Sequence, residues 1–338
     1  MNMFKFNIYL CSALLMLGSL LISERAEAAC DSVTVTNLNF GEINPVTTTG
    51  HVEFTATVHY ECELTLGLLT RVAVCIQIGS AEHDSGVTDR RLRYNEADNT
   101  EILSYNLYSD AARTIIWGDV YGSAYPPVVF RSDPVIINLL GKVEGSEIIY
   151  GRLNSTNFML SKVGTYGSGL PVTVRAAPVS LLGLLSCTGT PSSPVNLPVS
   201  AELIEACDFS AMNVDNLAFG SHDSFQQNVF GQTQLQVRCS MGTSYDIELN
   251  AGQNPVVADD VNTRRMRGES GNPDNTGSYV PYNLYKDSAR SKVWGMGENM
   301  EKGTGTGSVS SHPIYGKVPG TNYTVGNYRD TITVTVSY

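Results

Sequence analysis

The cysteines are the residues whose spacing most directly predicts chemistry in this chain. Two pairs have the same separation along the sequence, which indicates that each closes an equivalent loop in one of two related units. Another pair has no counterpart, so its members are predicted to bond to each other. The chain has seven cysteines, and six remain once Cys11 is removed with the predicted export signal. An even number of cysteines suits the oxidising environment of an exported protein, and a disulfide closing a loop of this size stabilises by about 2–4 kcal/mol. The predicted bonds are Cys30–Cys62, Cys207–Cys239 and Cys75–Cys187.

Other reactive residue types do not form the patterns that catalysis or metal binding requires. The five histidines stand far apart, without metal-ligand spacing. No Gly-x-Ser-x-Gly turn is present, and the glycine-rich segment 303–307 lacks the lysine and following helix of a phosphate-binding loop. The acidic residues at 96–99 and 259–260 could hold calcium, but solvated turns explain them more simply. The sequence therefore predicts no enzyme, no cofactor and no metal site.

The charge pattern argues against nucleic acid as a partner. The formal net charge is -11 and only 16% of the residues are charged, whereas nucleic acids and anionic lipids require a basic surface. An Arg-Arg-x-Arg motif at residues 90–93 recurs at 264–267. Because both units contain it, we expect it to serve the fold or a shared contact with an assembly partner.

Residues 1–28 have the features of a removed export signal. A lysine precedes an apolar run at 8–22, and Ala-Glu-Ala at 26–28 fits a signal-peptidase site, so we expect the mature chain to begin near Ala29. Cys30 raises the question of a lipid anchor. Glu27 argues against one, because it occupies the position where an acylation site usually has an aliphatic residue. No later segment approaches the length of a membrane span.

A sequence repeat defines the two units. Residues 105–118, YNLYSDAARTIIWG, return at 282–295 as YNLYKDSARSKVWG, with nine identical positions that include both tryptophans of the chain. The stretch Asn-Leu-x-Phe-Gly also occurs twice, at 37–41 and 216–220. A match of this length indicates a duplicated domain. We refer to the two units as the N-terminal copy and the C-terminal copy.

Short alternating runs separated by glycine, proline and asparagine predict an all-β fold of two tandem immunoglobulin-like β-sandwich domains. The predicted domains are 29–200 and 201–338. The last run is predicted to form a strand whose apolar face provides an acceptor edge for another strand. That face consists of Ile332, Val334, Val336 and Tyr338.

The N-terminal copy continues past the equivalent point of the C-terminal copy, and its extension predicts one more strand. Val195, Leu197, Val199, Ala201 and Leu203 are apolar at alternate positions, although Pro194 and Pro198 weaken the prediction because proline fits poorly inside a sheet. The C-terminal copy has no such extension. We therefore expect it to lack its last strand and to accept one from another polypeptide.

These motifs resemble the spore coat protein U domain family. The resemblance rests on the duplicated 105–118 segment, the cysteine after the signal, the Asn-Leu-x-Phe-Gly stretches and the closing strand pattern, and it covers nearly the whole mature chain twice. This family includes subunits of archaic chaperone-usher pili, and the two-domain form resembles Csu-type tip adhesins. The resemblance implies a periplasmic chaperone, an outer-membrane usher and an adjacent pilin subunit that donates its N-terminal strand.

A terminal position in the fibre is expected because only Ala29 precedes Cys30 in the predicted mature chain, which leaves no strand to donate. Binding is expected where the copies differ, in three apolar segments of the N-terminal copy that are predicted to emerge at one pole, residues 63–69, 119–130 and 179–187. The alternative is that their leucines fold back into the core. The candidate residues are Leu64, Leu66, Leu68, Leu69, Tyr121, Tyr125, Val128, Val129, Phe130, Leu181, Leu182, Leu184 and Leu185.

The sequence thus predicts an exported pilus-tip adhesin for abiotic or host surfaces that promotes biofilm formation. The bond between Cys75 and Cys187 is expected to hold the third apolar segment in place and to reduce its conformational freedom. Weakly polar glycan faces could be bound through the two tyrosines. The alternative function is a structural spore-coat or extracellular matrix protein without a specific adhesive role.

Overall fold

A computed structural model of the chain confirms the all-β prediction. It describes residues 28–64, 72–95, 98–119, 127–131, 141–154, 158–178, 187, 189–208, 214–222, 227–269 and 277–338. The helices it contains in these ranges are single 3-10 turns, such as Phe158–Leu160. None of the described helices is long and apolar enough to cross a membrane. Most of the predicted export signal lies outside the described residues.

The N-terminal copy forms one sheet of ten strands. Along its main path the strands follow the order β1-β3-β8-β6-β5-β9-β10-β2, and β4 joins this path through β9 and also pairs with β7. The side chains that alternate along these strands enclose a single apolar core. The strands are β1 Ala28–Val35, β2 Leu38–Ile43, β3 Val52–Leu64, β4 Val72–Ile78, β5 Arg90–Tyr94, β6 Asp98–Tyr108, β7 Val128–Arg131, β8 Gly141–Leu153, β9 Gly164–Pro178 and β10 Val195–Leu203.

The C-terminal copy has shorter strands in three sheets. The strand orders are β11-β17-β15, β16-β12-β19 and β14-β13-β18, around a separate apolar core. The strands are β11 Val229–Arg238, β12 Ser244–Leu249, β13 Arg265–Gly268, β14 Tyr279–Pro281, β15 Asn283–Tyr285, β16 Glu301–Thr304, β17 Val309–Val318, β18 Tyr328–Arg329 and β19 Val334–Ser337.

The repeated tryptophan motif builds the core of each copy in the same way. Trp117 is fully buried and its Nε1 donates a hydrogen bond to the carbonyl of Ile76 at 2.9 Å. Trp294 is equally buried and donates to the carbonyl of Ile247 at 3.0 Å. A buried indole N–H needs such an acceptor, so each tryptophan fixes the end of its motif to a neighbouring strand.

The repeated arginine motif also serves the fold. Arg90 and Arg264 are both fully buried. The guanidinium of Arg90 donates to the carbonyls of Ile78 and Trp117, and burial lowers its pKa to about 10. Arg264 makes the equivalent bonds in the C-terminal copy. The first arginine of each motif therefore links backbone segments that would otherwise leave carbonyls unpaired.

All three predicted disulfides are present. Cys30–Cys62 and Cys207–Cys239 both have a sequence separation of 32, and Cys75–Cys187 closes a loop with a separation of 112.

After β10 the chain crosses quickly into the C-terminal copy. Ile204 N donates to the Ile43 carbonyl, whereas Ala206 N donates to Ser240 Oγ. We therefore propose that the domain boundary lies between β10 and Ala206, slightly beyond the residue 200 expected from the sequence.

Candidate functional site

The predicted additional strand is confirmed and completes the N-terminal copy. β10 lies between β9, with which it pairs antiparallel, and β2, with which it pairs in parallel. Its alternate side chains from Leu197 to Leu203 are at most 2% exposed. Pro198 is accommodated within the strand, opposite Gly169. Burial of this apolar face supplies the hydrophobic free energy that holds the strand in place.

Residues 326–338 of the C-terminal copy correspond to β9. Val174 pairs with Ile76, the acceptor of Trp117, and Val336 pairs with Ile247, the acceptor of Trp294. Further along, Gly79 N donates to the Pro171 carbonyl and Asn250 N donates to the Thr333 carbonyl. These matched contacts set a constant register, in which Leu170, Val172 and Val174 correspond to Ile332, Val334 and Val336.

The equivalent faces differ in exposure. Leu170, Val172 and Val174 are each 0% exposed, whereas Ile332, Val334 and Val336 are half-buried, although they pack against the C-terminal core. Tyr338 is 51% exposed. β18 pairs with β13 and β19 pairs with β12, and in the described part of the chain no strand pairs with the opposite edge of residues 328–337. The predicted acceptor residues thus line an open face.

The other wall of this opening is the second Asn-Leu-x-Phe-Gly stretch. Phe219 meets Tyr282 edge-on at 6.2 Å between ring centroids, as Phe40 meets Tyr105 at 6.1 Å in the N-terminal copy. Phe40 is 3% exposed, but Phe219 is only half-buried. We call the space between residues 216–220 and 328–337 the acceptor groove. Its walls correspond to those that enclose β10 in the N-terminal copy, and no strand among the described residues lies between them.

One carboxylate lies on the inward face of the acceptor groove. Side chains at alternate positions face the same side, so Asp330 lies on the same face as Tyr328 and Ile332. Its counterpart in the N-terminal copy is Ser168. Tyr282 Oη donates to Asp330 Oδ2 at 2.6 Å, and Gln253 N donates to Oδ1 at 2.9 Å. Burial, followed by this hydrogen bond, raises the pKa of Tyr282 well above its usual range, so the phenol remains a donor.

A buried cation lies within electrostatic reach of this carboxylate. Burial lowers the pKa of Arg264 to about 10, and the negative charge of Asp330 opposes that shift. At neutral pH the guanidinium therefore keeps its charge. Its described hydrogen bonds go to backbone carbonyls and to Asn283, so Asp330 has no direct ion pair with it.

Three connecting segments begin and end at one pole of the N-terminal copy. The strand ends there are paired: Leu64 with Gly141, Ala73 with Arg131, and Val72 with Pro178. The segments that connect these ends are 65–71, 132–140 and 179–186, all outside the described residues. The first and third overlap the apolar segments 63–69 and 179–187 that the sequence singled out, and their bases are adjacent.

The second predicted segment has a different position. Val128, Val129 and Phe130 belong to β7, which pairs with β4, and the valines are half-buried, with Val128 packed against the core. The chain enters this segment from the opposite end of β4, where Ile78 N donates to the Gly118 carbonyl. Leu64 is the last residue of β3. The remaining candidates lie outside the described residues: Leu66, Leu68, Leu69, Tyr121, Tyr125, Leu181, Leu182, Leu184 and Leu185.

Segment 132–140 was missed by the sequence interpretation. Its sequence, SDPVIINLL, is as apolar as the predicted segments and has no apolar counterpart in the C-terminal copy. The signal was present, but the alignment assigned the difference between the copies to residues 119–130. Recognising the β7 pairing would have moved the candidate site by a few residues.

The Cys75–Cys187 disulfide fixes the base of the third segment. Cys75 lies in β4 opposite Arg175 of β9, and Cys187 lies where the chain returns from segment 179–186. From there the chain runs back along β9, since Ser192 N donates to the Val174 carbonyl, and then enters β10. The segment is therefore the tip of the β9–β10 hairpin, with its returning arm covalently attached to the sheet.

Comparison with known proteins identifies the family. The Spore Coat Protein U domain matches residues 16–173 and again residues 194–335. The chain belongs to the Spore Coat Protein U domain family. Protein U from Myxococcus xanthus is 30% identical over 182 residues, which cover 49% of this chain and 94% of that protein.

Solved structures of pilus proteins are similar to this chain. A chain in the complex of the chaperone and tip adhesin from archaic chaperone-usher Csu pili of Acinetobacter baumannii is 15% identical, with a TM-score of 0.43 and coverage of 91% of this chain and 100% of that one. The CupB6 tip adhesin from Pseudomonas aeruginosa is 11% identical, with a TM-score of 0.34 and coverage of 91% and 94%.

The family match and the fold place the boundary between the two units differently. The second matched segment starts at residue 194, so β10 opens the second unit in sequence. In space, however, β10 completes the sheet of the first unit.

Among the described residues no group of histidine, cysteine, aspartate and glutamate side chains has the arrangement of a metal site.

Proposed function

We propose that this protein is the tip adhesin of an archaic chaperone-usher pilus. Its C-terminal copy accepts a strand from the next subunit, and its N-terminal copy attaches to a surface and promotes biofilm formation. The observation that carries the proposal is the position of β10, because the leading segment of one family unit fills the groove of the unit before it. The acceptor groove of the C-terminal copy repeats those walls, and strand addition from another subunit would complete it.

The partners follow from this mode of assembly. An unpaired strand edge with half-exposed aliphatic side chains promotes aggregation, so a periplasmic chaperone holds the acceptor groove after export. The outer-membrane usher then exchanges the chaperone for the N-terminal strand of an adjacent pilin. The finished subunit is extracellular, at the end of the pilus on the cell surface.

A terminal position is supported by the first strand. β1 pairs with β3 of its own copy along most of its length, and Cys30 is bonded to Cys62. This segment is therefore occupied within its own sheet and cannot complete another subunit. Immunogold labelling tests the position. Label confined to fibre ends supports a tip, and label along the shaft contradicts it.

Strand acceptance is tested by adding synthetic N-terminal strands of the pilins produced by the same cell. A cognate strand should bind the mature protein and raise the unfolding temperature of the C-terminal copy, because a ligand that binds only the folded state stabilises it. Leu217→Asp, in the wall of the acceptor groove, should abolish binding. If no pilin strand stabilises the protein, strand acceptance is contradicted.

Adhesion is assigned to the apolar segments at the pole of the N-terminal copy. Leu66→Ser with Leu184→Ser should remove attachment to hydrophobic plastic while pili still assemble, because the contact is apolar. The matched control is Val256→Ser with Val257→Ser, since these C-terminal side chains are 63% and 55% exposed. Unchanged attachment by the first double variant would exclude this role for the segments.

The Cys75–Cys187 bond provides a separate test of the same pole. Replacing both cysteines with serine frees the returning arm of the β9–β10 hairpin, so adhesion should fall more than fibre assembly does. The bond also stabilises the fold, by roughly 2–4 kcal/mol. Adhesion is therefore compared at a temperature where the variant remains folded. Equal losses of adhesion and assembly would show that the bond serves only the fold.

A structural coat or matrix protein is the second candidate function. It is favoured by the match to the Spore Coat Protein U domain in both halves of the chain. Such a protein would polymerise through the same groove without a surface ligand. Label distributed over a spore coat or matrix, together with unchanged adhesion after deletion of the protein, would support this alternative.

A further inference from the structure

We propose that Asp330 selects the strand that enters the acceptor groove, by requiring a hydrogen-bond donor side chain on that strand at one defined position. The inference rests on the proposed strand acceptance. It goes further by naming the chemistry of the partner and by excluding β10 of a second copy of this chain as a good ligand.

The register of β10 identifies the position. In the N-terminal copy Val199 lies directly opposite Ser168 of β9, and both belong to the inward-facing series. Asp330 occupies the place of Ser168 in the C-terminal copy. A strand that adds to the acceptor groove in the β10 register therefore sets one inward side chain opposite Asp330, at a Cβ separation of about 4.5–5.5 Å.

The site around Asp330 is already built before any strand enters. The carboxylate accepts hydrogen bonds from Tyr282 Oη, Gln253 N and Asn254 Nδ2. A Cβ at Gly252 would collide with Asp330 Oδ2, so the glycine makes room for the carboxylate. A carboxylate can accept about four hydrogen bonds, which leaves acceptor capacity for an incoming donor.

Closing the acceptor groove changes the energy of this carboxylate. Asp330 is half-buried in the open groove, and an added strand would remove the remaining water. Loss of water from a charged oxygen is unfavourable unless a hydrogen bond replaces it. Threonine, serine or asparagine opposite Asp330 supplies that bond. Valine, which β10 carries there, fills the same space and supplies none.

The N-terminal copy shows why the two grooves require different strands. There the equivalent residue is neutral Ser168, and Val199 beside it is 1% exposed within a completed sheet. Asp330 thus allows the two grooves of one chain to discriminate between similar apolar strands. It disfavours capture of β10 from a second molecule, which would join copies of the tip subunit to each other.

Valine and threonine have nearly the same shape, so one substitution in a peptide tests the inference. The probe is a fluorescent peptide with the sequence of residues 193–205, compared with its V199T form, on the mature protein. Hydrogen bonds to charged groups are strong, and V199T should therefore bind roughly tenfold more tightly. The control peptide V195T places its hydroxyl opposite the Val334 position instead, and it should bind no more tightly than the unchanged peptide.

The protein variant Asp330→Ser reproduces the environment of the N-terminal copy. With this variant the unchanged peptide should gain affinity, and the preference for V199T should fall to within about twofold. Equal binding of the unchanged and V199T peptides to the unmodified protein would overturn the role of Asp330, and this comparison stands even if the variant does not fold. If no peptide binds the unmodified protein but the cognate pilin strands do, β10 is not a template for the register and the inference fails. If neither peptides nor pilin strands bind, strand acceptance itself fails.

Discussion

β9 and residues 326–338 carry the same alternation of side chains and the same backbone partners, yet one is enclosed and the other is open. Leu170 is 0% exposed, and Ile332 at the equivalent position is half-buried. Both residues are aliphatic, so residue type does not account for this difference. The neighbouring strand does, because β10 covers one face and no described strand covers the other.

The equivalent phenylalanines of the two copies lead to the same conclusion. Phe40 and Phe219 make nearly identical contacts with a tyrosine of their own copy, but only Phe40 is buried. In the described part of the C-terminal copy, both walls of the acceptor groove therefore keep their shape without a strand between them. For the proposed strand addition, such a preformed shape would lower the cost of ordering, and it leaves apolar surface exposed in the meantime.

The largest loss of stability is expected when a charged side chain replaces a buried residue of β10. Leu197→Asp buries an unpaired carboxylate in the N-terminal core, which should cost roughly 4–5 kcal/mol and abolish the N-terminal unfolding transition in calorimetry. Asn196→Asp places the same group on the exposed face of β10 and should shift that transition little. Retention of a normal N-terminal transition by Leu197→Asp would mean that β10 does not complete the copy.

A matched pair of side-chain truncations, one in each copy, measures directly how much the two equivalent apolar faces contribute to stability. Leu170→Ala should lower the free energy of unfolding of the N-terminal copy by about 3 kcal/mol, and Ile332→Ala should lower that of the C-terminal copy by about 1 kcal/mol. The difference arises because half-exposed side chains leave a smaller cavity. Denaturant titration of each copy provides the values. Equal costs would show that the acceptor groove is already closed in solution.

The smallest expected effect is a dependence of stability on pH, and it is limited to the C-terminal copy. His312 Nε2 lies 2.9 Å from Tyr245 Oη, and burial lowers the histidine pKa below its ordinary 6.5. Below pH 6.5 the histidine is therefore protonated more readily in the unfolded chain than in the folded copy. The contribution of His312 to the free energy of unfolding is complete above pH 6.5 and is lost as pH falls through the lowered pKa.

Thermal unfolding of the C-terminal transition between pH 7.5 and 5 measures this dependence. Acidification should lower that transition in the unmodified protein, and His312→Gln should reduce the change. The N-terminal transition is the internal control, because it lacks this histidine. An unaltered pH profile in the variant would assign the acid sensitivity to other groups.

Much of this architecture was predictable from particular residues. The spacing of Cys30 and Cys62, repeated at Cys207 and Cys239, identified two units and their bonds. Alternation from Val195 to Leu203 predicted β10 in spite of its proline. The final strand was predicted over residues 332–338, but β19 spans only Val334–Ser337. Segments next to an unpaired edge have fewer hydrogen bonds to hold them in a ladder.

The binding pole was predicted less well. Segments 65–71 and 179–186 have adjacent bases, as the strand order suggested, whereas Val128 and Val129 lie in β7. An apolar run in a loop and an apolar run in a short edge strand look alike in sequence. Distinguishing them requires knowledge of the partner strand, which is distant along the chain.

The sequence by itself determined the duplication, the disulfides, the strand character and the family, because these depend on spacing, alternation and residue identity. Only the tertiary structure decided which strand edge is covered, which equivalent residues are exposed and that Asp330 lies on the inward face of the acceptor groove. Exposure is a property of neighbours, and the neighbour that distinguishes the two copies is a strand that opens one unit in sequence and completes the other in space.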